Sequence, residues 1–309
     1  MSENLRLRAV SLLITVSIVF TSVFTSGSLV LKAENTAKNI WNGEKFDSFE
    51  KGSGTENDPY IISNGGELYY MASLGQAQTE NKFFRLSEDI YLNNTDDPDW
   101  KNAAPNEWKV SAYFAGRFDG GGHRVYGIYC SSAERGGLFA GVWPVDNTAA
   151  EIKNVGIDNS YIKGSYAGGI IGSLSNSTGK GSFTMSSCYV GANAEINGKT
   201  IQGGLIGYMD NPAVNIENCY SLALLTGKVD SDKQGGIIGF TASSAIGASV
   251  ESCYAVTEEV PVTSNTWPGM QLGYKYIYGT NKGNNNLFNF PLITVLSSER
   301  MQGSGARVR

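Results

Sequence analysis

One histidine, His123, is present among 309 residues. That scarcity removes whole classes of enzyme. A zinc peptidase of the HExxH type needs two imidazoles one helical turn apart and a glutamate base. A Ser-His-Asp site needs a histidine beside an activated serine, and no such motif surrounds any serine. His123 follows Gly120-Gly121-Gly122 and reads as a turn residue. Clusters of Lys and Arg are missing as well. Three of the 24 basic and one of the 29 acidic residues fall in positions 1–33, so the remainder carries −7 where the whole chain carries −5. An acidic balance argues against nucleic acid and against anionic membranes, both of which reward basic clusters.

Nucleotide motifs are missing too. Gly179-Lys180 is followed by Gly181 where a phosphate loop requires Ser or Thr. Gly120-Gly121-Gly122 does not open a helix, so no dinucleotide site is implied. Asp96, Asp97 and Asp99 are the densest acidic group and read as a solvated loop, while Asp119 reads as a turn cap. No catalytic set, metal or cofactor is expected, and no acidic residue is expected to recur in register from repeat to repeat.

The longest apolar run lies at the start, and a shorter one spans Leu287 to Leu296. Arg6 and Arg8 precede a mostly apolar stretch from Ala9 to Phe24, and a polar spacer leads to Leu31-Lys32-Ala33. This is the pattern of a secretory signal peptide cut after Ala33. The apolar stretch is short for a membrane span, which takes about 20 residues. Cleavage would leave no transmembrane segment and place the protein outside the cell or on its surface.

Glycine is abundant, with 38 residues, and it is ordered. Gly168-Gly169-Ile170-Ile171-Gly172, Gly203-Gly204-Leu205-Ile206-Gly207 and Gly235-Gly236-Ile237-Ile238-Gly239 nearly repeat one phrase. Gly136-Gly137-Leu138-Phe139-Ala140 is a looser copy. The second glycines lie 32, 35 and 32 residues apart. Ser187-Cys188-Tyr189, Asn218-Cys219-Tyr220 and Ser252-Cys253-Tyr254 form an interleaved repeat at spacings of 31 and 34. A period in this range marks an architecture of stacked units, none of which buries its apolar face alone. Short apolar runs broken by Gly, Asn and Ser indicate strands and turns. The expected fold is all-β, a right-handed parallel β-helix of about five to six coils. Each coil would hold three short strands, typified by 216–222, 227–230 and 235–240, with glycines supplying positive φ and close approach at the corners.

Residues 34–82 read as an N-terminal cap with one short helix at 67–76. Asn64 would be its N-cap, Glu67 the partner in a capping box, and Leu68, Met71 and Ala72 its apolar face. Repeats run from 83 to 273, their last copy degraded at 269–272, and 274–309 form an irregular tail.

Cys188, Cys219 and Cys253 hold one position in successive units and should stack inward as free thiols. A Cys188–Cys219 disulfide is the lesser alternative, and Cys130 stands apart. Neighbouring residues point to the opposite face. Tyr189, Tyr220 and Tyr254 should therefore form an external ladder at a pitch of about 4.8 Å, close to the advance of one sugar in an extended polysaccharide. They are the candidate ligand-binding residues, to be weighed against a purely structural tyrosine stack.

The glycine phrase alternating with Ile216-Glu217-Asn218-Cys219-Tyr220-Ser221 resembles the GLUG repeat of bacterial surface proteins. So do GSGTENDPYIIS at 52–63 and FAGRFDGGGHRVYGI at 114–128. The resemblance covers about residues 41–273 and is specific for β-solenoid architecture. It implies a secreted or surface-exposed bacterial module of the kind found in adhesin-like proteins and in non-catalytic regions of immunoglobulin A-cleaving metallopeptidases. Three roles follow as expectations: binding a glycan or host protein, degrading a polysaccharide, or spacing a larger surface assembly.

Overall fold

The computed structural model describes residues 38–256 except positions 104, 177–179, 212, 230–232, 243–244 and 246–247. The expected signal peptide, the degraded repeat at 269–272 and the tail at 274–309 lie outside the described residues. From Asn39 onward the described residues belong to one compact unit.

The fold is a parallel β-solenoid, and one coil shows the plan. Ala149–Lys153, Gly156–Asp158, Tyr161–Gly168 and Ile171–Ser175 follow in order, and Ser182–Ser186 begins the next coil. Equivalent strands pair in parallel from coil to coil, giving sheets of seven, six, five and five strands. Four coils carry all four sheets. Before them, a partial coil has Trp108 N donating to Tyr129 O, so the segment at 93–109 occupies the place of a third-sheet strand. The solenoid therefore has about five turns.

A coil thus holds four strands where the sequence led us to expect three. The run 216–222 is divided into Val214–Glu217 and Tyr220–Ser221 by Asn218, whose φ is 55°. Asn154, Ser187 and Ser252 adopt the same left-handed conformation at equivalent corners, with φ between 51° and 55°. Gly227 lies outside any strand, and Leu224–Leu225 supplies the pairing instead. The phrase glycines act differently from expectation. None of them has positive φ. Their role is close approach: a Cβ on Gly203 would overlap Ile206 O, and one on Gly204 would overlap Gly236 O. This allows the chain to turn from the third sheet into the fourth while two consecutive apolar residues, such as Ile170 and Ile171, both remain fully buried.

Stacked apolar columns fill the interior. Phe118, Ile152, Met185 and Ile216 share one register line, and Val125, Ile157 and Val190 share another. All are fully buried, each contributing about 1.5–3 kcal/mol if its side chain resembles Val, Leu, Ile, Phe or Met in transfer. Cys188, Cys219 and Cys253 continue the corner column below Val155 as buried free thiols. The backbone N–H of Cys188 donates to Cys219 Sγ at 3.4 Å, and that of Cys219 to Cys253 Sγ at 3.4 Å.

The cap contains two short helices, α1 (Gly65–Ser73) and α2 (Gln76–Thr79). Asn64 caps α1 through a 2.9 Å bond from Glu67 N, and Leu68, Met71 and Ala72 are buried as the sequence predicts. Glu67 reaches one residue further back than a capping box. Its carboxylate accepts from Ser63 N, Ser63 Oγ and Asn64 Nδ2, and from Glu50 N across the chain. Within the segment assigned to the cap, Tyr60–Ile62 already pairs with Phe83–Leu86 as the outermost strand of the first sheet.

Candidate functional site

The second sheet carries the predicted ladder. Its strands are two or three residues long, and each turns one buried side chain inward, apolar in all but Ser221. Val125, Ile157 and Val190 point in, while Arg124, Gly156, Tyr189, Tyr220 and Tyr254 form one outward column. The rings of Tyr189 and Tyr220 are stacked with centroids 5.0 Å apart and planes 8° from parallel. Tyr220 and Tyr254 repeat this at 5.0 Å and 6°. All three are half-buried. Burial raises the Tyr254 pKa, and the neighbouring Tyr220 adds to this. Burial likewise raises that of Tyr189, against the opposing charge of Arg124.

This geometry changes what the ladder can do. Each ring covers its neighbour's face, so no open ring faces remain in the interior of the stack for a sugar to lie on. The surface left to a ligand is a row of ring edges, and the Tyr189 hydroxyl leans over Gly156.

At its upper end the ladder meets a gap and then a cation. Gly156 lacks a side chain, and Tyr189 fills that space, since a Cβ there would overlap Tyr189 Cζ. Beyond it, the Arg124 guanidinium lies 5.9 Å from the Tyr189 ring centroid and donates from Nη1 to Tyr126 Oη at 3.1 Å. Tyr126 is stacked in turn on Tyr91, with centroids 4.8 Å apart and planes at 4°. The hydrogen bond to Tyr126 and the nearby phenols push the guanidinium pKa above its usual range. Sequence reasoning missed Arg124, Tyr126 and Tyr91. The signal was available in Asp89-Ile90-Tyr91 and Arg124-Val125-Tyr126, which share the alternation and fall in register.

Beside Tyr189 an open cleft of about 460 Å³ is lined by Arg85, Asp119, Gly121, Gly122, Asn154 and Ser187 together with Tyr189 itself. Asp119 is the turn cap that the sequence predicts. Its Oδ1 accepts from Gly121 N at 2.8 Å and from Asn154 Nδ2 at 2.9 Å. His123 is a turn residue, with Nδ1 3.5 Å from Asp89 Oδ1. In the 93–109 segment, Asp97 accepts from Asp99 N and Asp99 from Asn102 Nδ2, so both serve local turns. Among the described residues no group of three or more His, Cys, Asp or Glu could hold a metal ion.

Carboxylates do recur in register, contrary to expectation. Arg85, Asp119, Lys153, Ser186, Glu217 and Glu251 form one outward line of the first sheet. Glu217 and Glu251 each stand two residues before a repeat cysteine, so that part of the line could have been read. A second aromatic surface was also missed. Tyr166, Tyr208 and Phe240 stack at 5.6 and 6.1 Å, and Arg135 lies 4.6 Å from the Tyr113 ring centroid. Tyr208 and Phe240 each follow the last glycine of a phrase, and that position could have been read.

No helix among the described residues is long and apolar enough to cross a membrane. No protein-family model matches the chain. It is 26% identical over 184 residues to halomucin of Haloquadratum walsbyi, an alignment that takes in 57% of this chain and 2% of halomucin. Among solved structures it is similar to an immunoglobulin A1 protease candidate from Bacteroides ovatus, at 26% identity and a TM-score of 0.49, over 68% of this chain and 60% of that one.

Proposed function

We propose that this chain is an extracellular, non-catalytic β-helix module of the GLUG type, adhesin-like in role, that binds a glycan or an extracellular protein. The observation that carries this reading is the stack of Tyr189, Tyr220 and Tyr254, which repeats a half-buried phenol at the 5.0 Å pitch of the rings. Such a row matches the advance of successive sugars, and phenols both donate and accept hydrogen bonds. The signal-like start of the sequence supports an exported protein. The match to a short stretch of the far longer halomucin supports a module reading.

A degradative enzyme is the second reading. It is favoured by Glu217 and Glu251, which are direct register partners. Adjacent strands lie about 4.8 Å apart, near the roughly 5–5.5 Å carboxyl separation of retaining glycosidases. The pair lies on an outer sheet face, apart from the residues lining the cleft.

Native electrophoresis of the full chain through gels containing individual polysaccharides tests both readings. Retarded migration over intact polymer is the expected result, abolished by joint replacement of the three tyrosines with phenylalanine. Cleared zones around the band would establish cleavage. Unaltered migration in every gel would leave a protein ligand or a spacer role.

A further inference from the structure

The corner between the first and second sheets is longer where the cleft lies. Two residues separate Lys153 from Gly156, Ser186 from Tyr189, Glu217 from Tyr220 and Glu251 from Tyr254, but four separate Asp119 from Arg124. The extra length projects outward. Gly121 and Gly122 have φ of 62° and 84°, and a Cβ on Gly122 would meet nothing within 4 Å. This turn forms one wall of the cleft and Tyr189 another.

The cleft's charges are not equally committed. Asp119 accepts the two bonds described above. Asp89 Oδ1 accepts from Arg124 N at 2.9 Å and faces His123. The Arg85 side chain is exposed and makes no ion pair or hydrogen bond among the described residues. Arg124, beside the cleft, is exposed as well; its Nη1 donates to Tyr126 and its guanidinium faces Tyr189. The Arg85 guanidinium therefore keeps its donors, while Oδ1 of each aspartate is already occupied.

We propose that this cleft is a carboxylate subsite, and that its ligand is a polysaccharide carrying sparse uronic acid groups. One acid group would bind at Arg85 and Arg124 while neutral sugars follow the tyrosine row. The proposal rests on the glycan-binding reading above. The planar guanidinium fork matches a carboxylate through paired hydrogen bonds. Sparse charge is required for three reasons. Arg85 and Asp119 in the cleft, with Arg124 and Asp89 beside it, sum to formal neutrality. Glu217 and Glu251 flank the lower tyrosines. The whole chain carries −5. A densely sulfated polymer would be repelled along the ladder by like charge.

The test uses the full chain and three probes: glucuronoxylan, the same polymer with its carboxyl groups reduced, and dextran sulfate. Affinities are measured by titration calorimetry for wild type, Arg85→Gln and Arg124→Gln, with melting temperatures confirming that each variant is folded. Wild type should bind glucuronoxylan at least tenfold more tightly than the reduced polymer. Each variant should lose that preference yet bind the reduced polymer as wild type does. Equal affinity for both forms, or a preference for dextran sulfate, would overturn the subsite and leave the tyrosine row standing as a glycan surface. Failure to bind any of the three would remove both the subsite and the glycan reading beneath it.

Discussion

Tyr220 is the residue at which binding and stability separate most cleanly. Its ring is stacked on both sides, at 5.0 Å from Tyr189 and from Tyr254. Replacement by phenylalanine preserves both stacks and removes one hydroxyl from the outward row. Its melting temperature should match wild type while ligand retention weakens. Replacement by serine deletes two ring contacts and should cost on the order of 2 kcal/mol, visible as a lower denaturation midpoint. A serine variant as stable as wild type would show that the stack is energetically idle. The outward direction of these tyrosines was legible because alternation along a strand fixes it once the neighbouring cysteine is placed inside. The pitch and the option of a structural stack were legible too, but not that the planes would lie within 8° of parallel, because alternation does not fix the side-chain torsions. The same applies to Arg124, which reaches Tyr189 only because Gly156 stands between them in the stack.

At the level of the strand and its corner, the sequence disclosed the period but not the number of sides. The glycine phrase marks one corner openly. The corner between the first and second sheets is marked only by Asn or Ser before Val155, Cys188, Cys219 and Cys253, and these residues also occur in ordinary loops. Their left-handed φ values give the corner its turn. L-residues incur about 1–2 kcal/mol in this conformation, with Asn among the most tolerant. Asn218→Val should therefore destabilise by about that amount or more, because a β-branched side chain is a strong outlier at positive φ. Ser187→Asn should raise the melting temperature slightly. An unchanged midpoint for Asn218→Val would mean that the corner can re-form with negative φ. At the glycine corner, Gly204→Ala forces a methyl against Gly236 O in the next coil. We expect a loss of about 1–3 kcal/mol, the usual range for overpacking, measured by chemical denaturation.

Across the whole solenoid, one apolar cluster runs without a break from Trp41 to Ala255. Each coil is a lid for the next, so the interior should open in a single transition. Alkali offers a way to test this from buried groups. Burial pushes the Cys130 thiol up to about 12 from an ordinary value of 9.0. Tyr161, Tyr189, Tyr208 and Tyr254 are shifted in the same direction, burial being the largest cause for each. A group whose folded pKa exceeds its unfolded one keeps its proton longer in the native state. Its stabilising contribution is complete below the unfolded value and disappears as pH rises toward the folded one. Stability should thus be level to about pH 9, fall as the unfolded thiols ionise, and fall more steeply beyond about pH 10 as tyrosines join. Cys130→Val should lessen the first part of that decline, to which the raised Cys219 and Cys253 thiols also contribute, while leaving the second. A thiol reagent added across the same range should modify Cys130, Cys188, Cys219 and Cys253 at one common rate, because all four are buried in the same cluster. Faster modification of Cys253, in the last described coil, would show that the solenoid opens from that side before the rest. The single-transition argument would then give way to one of coils unfolding in sequence.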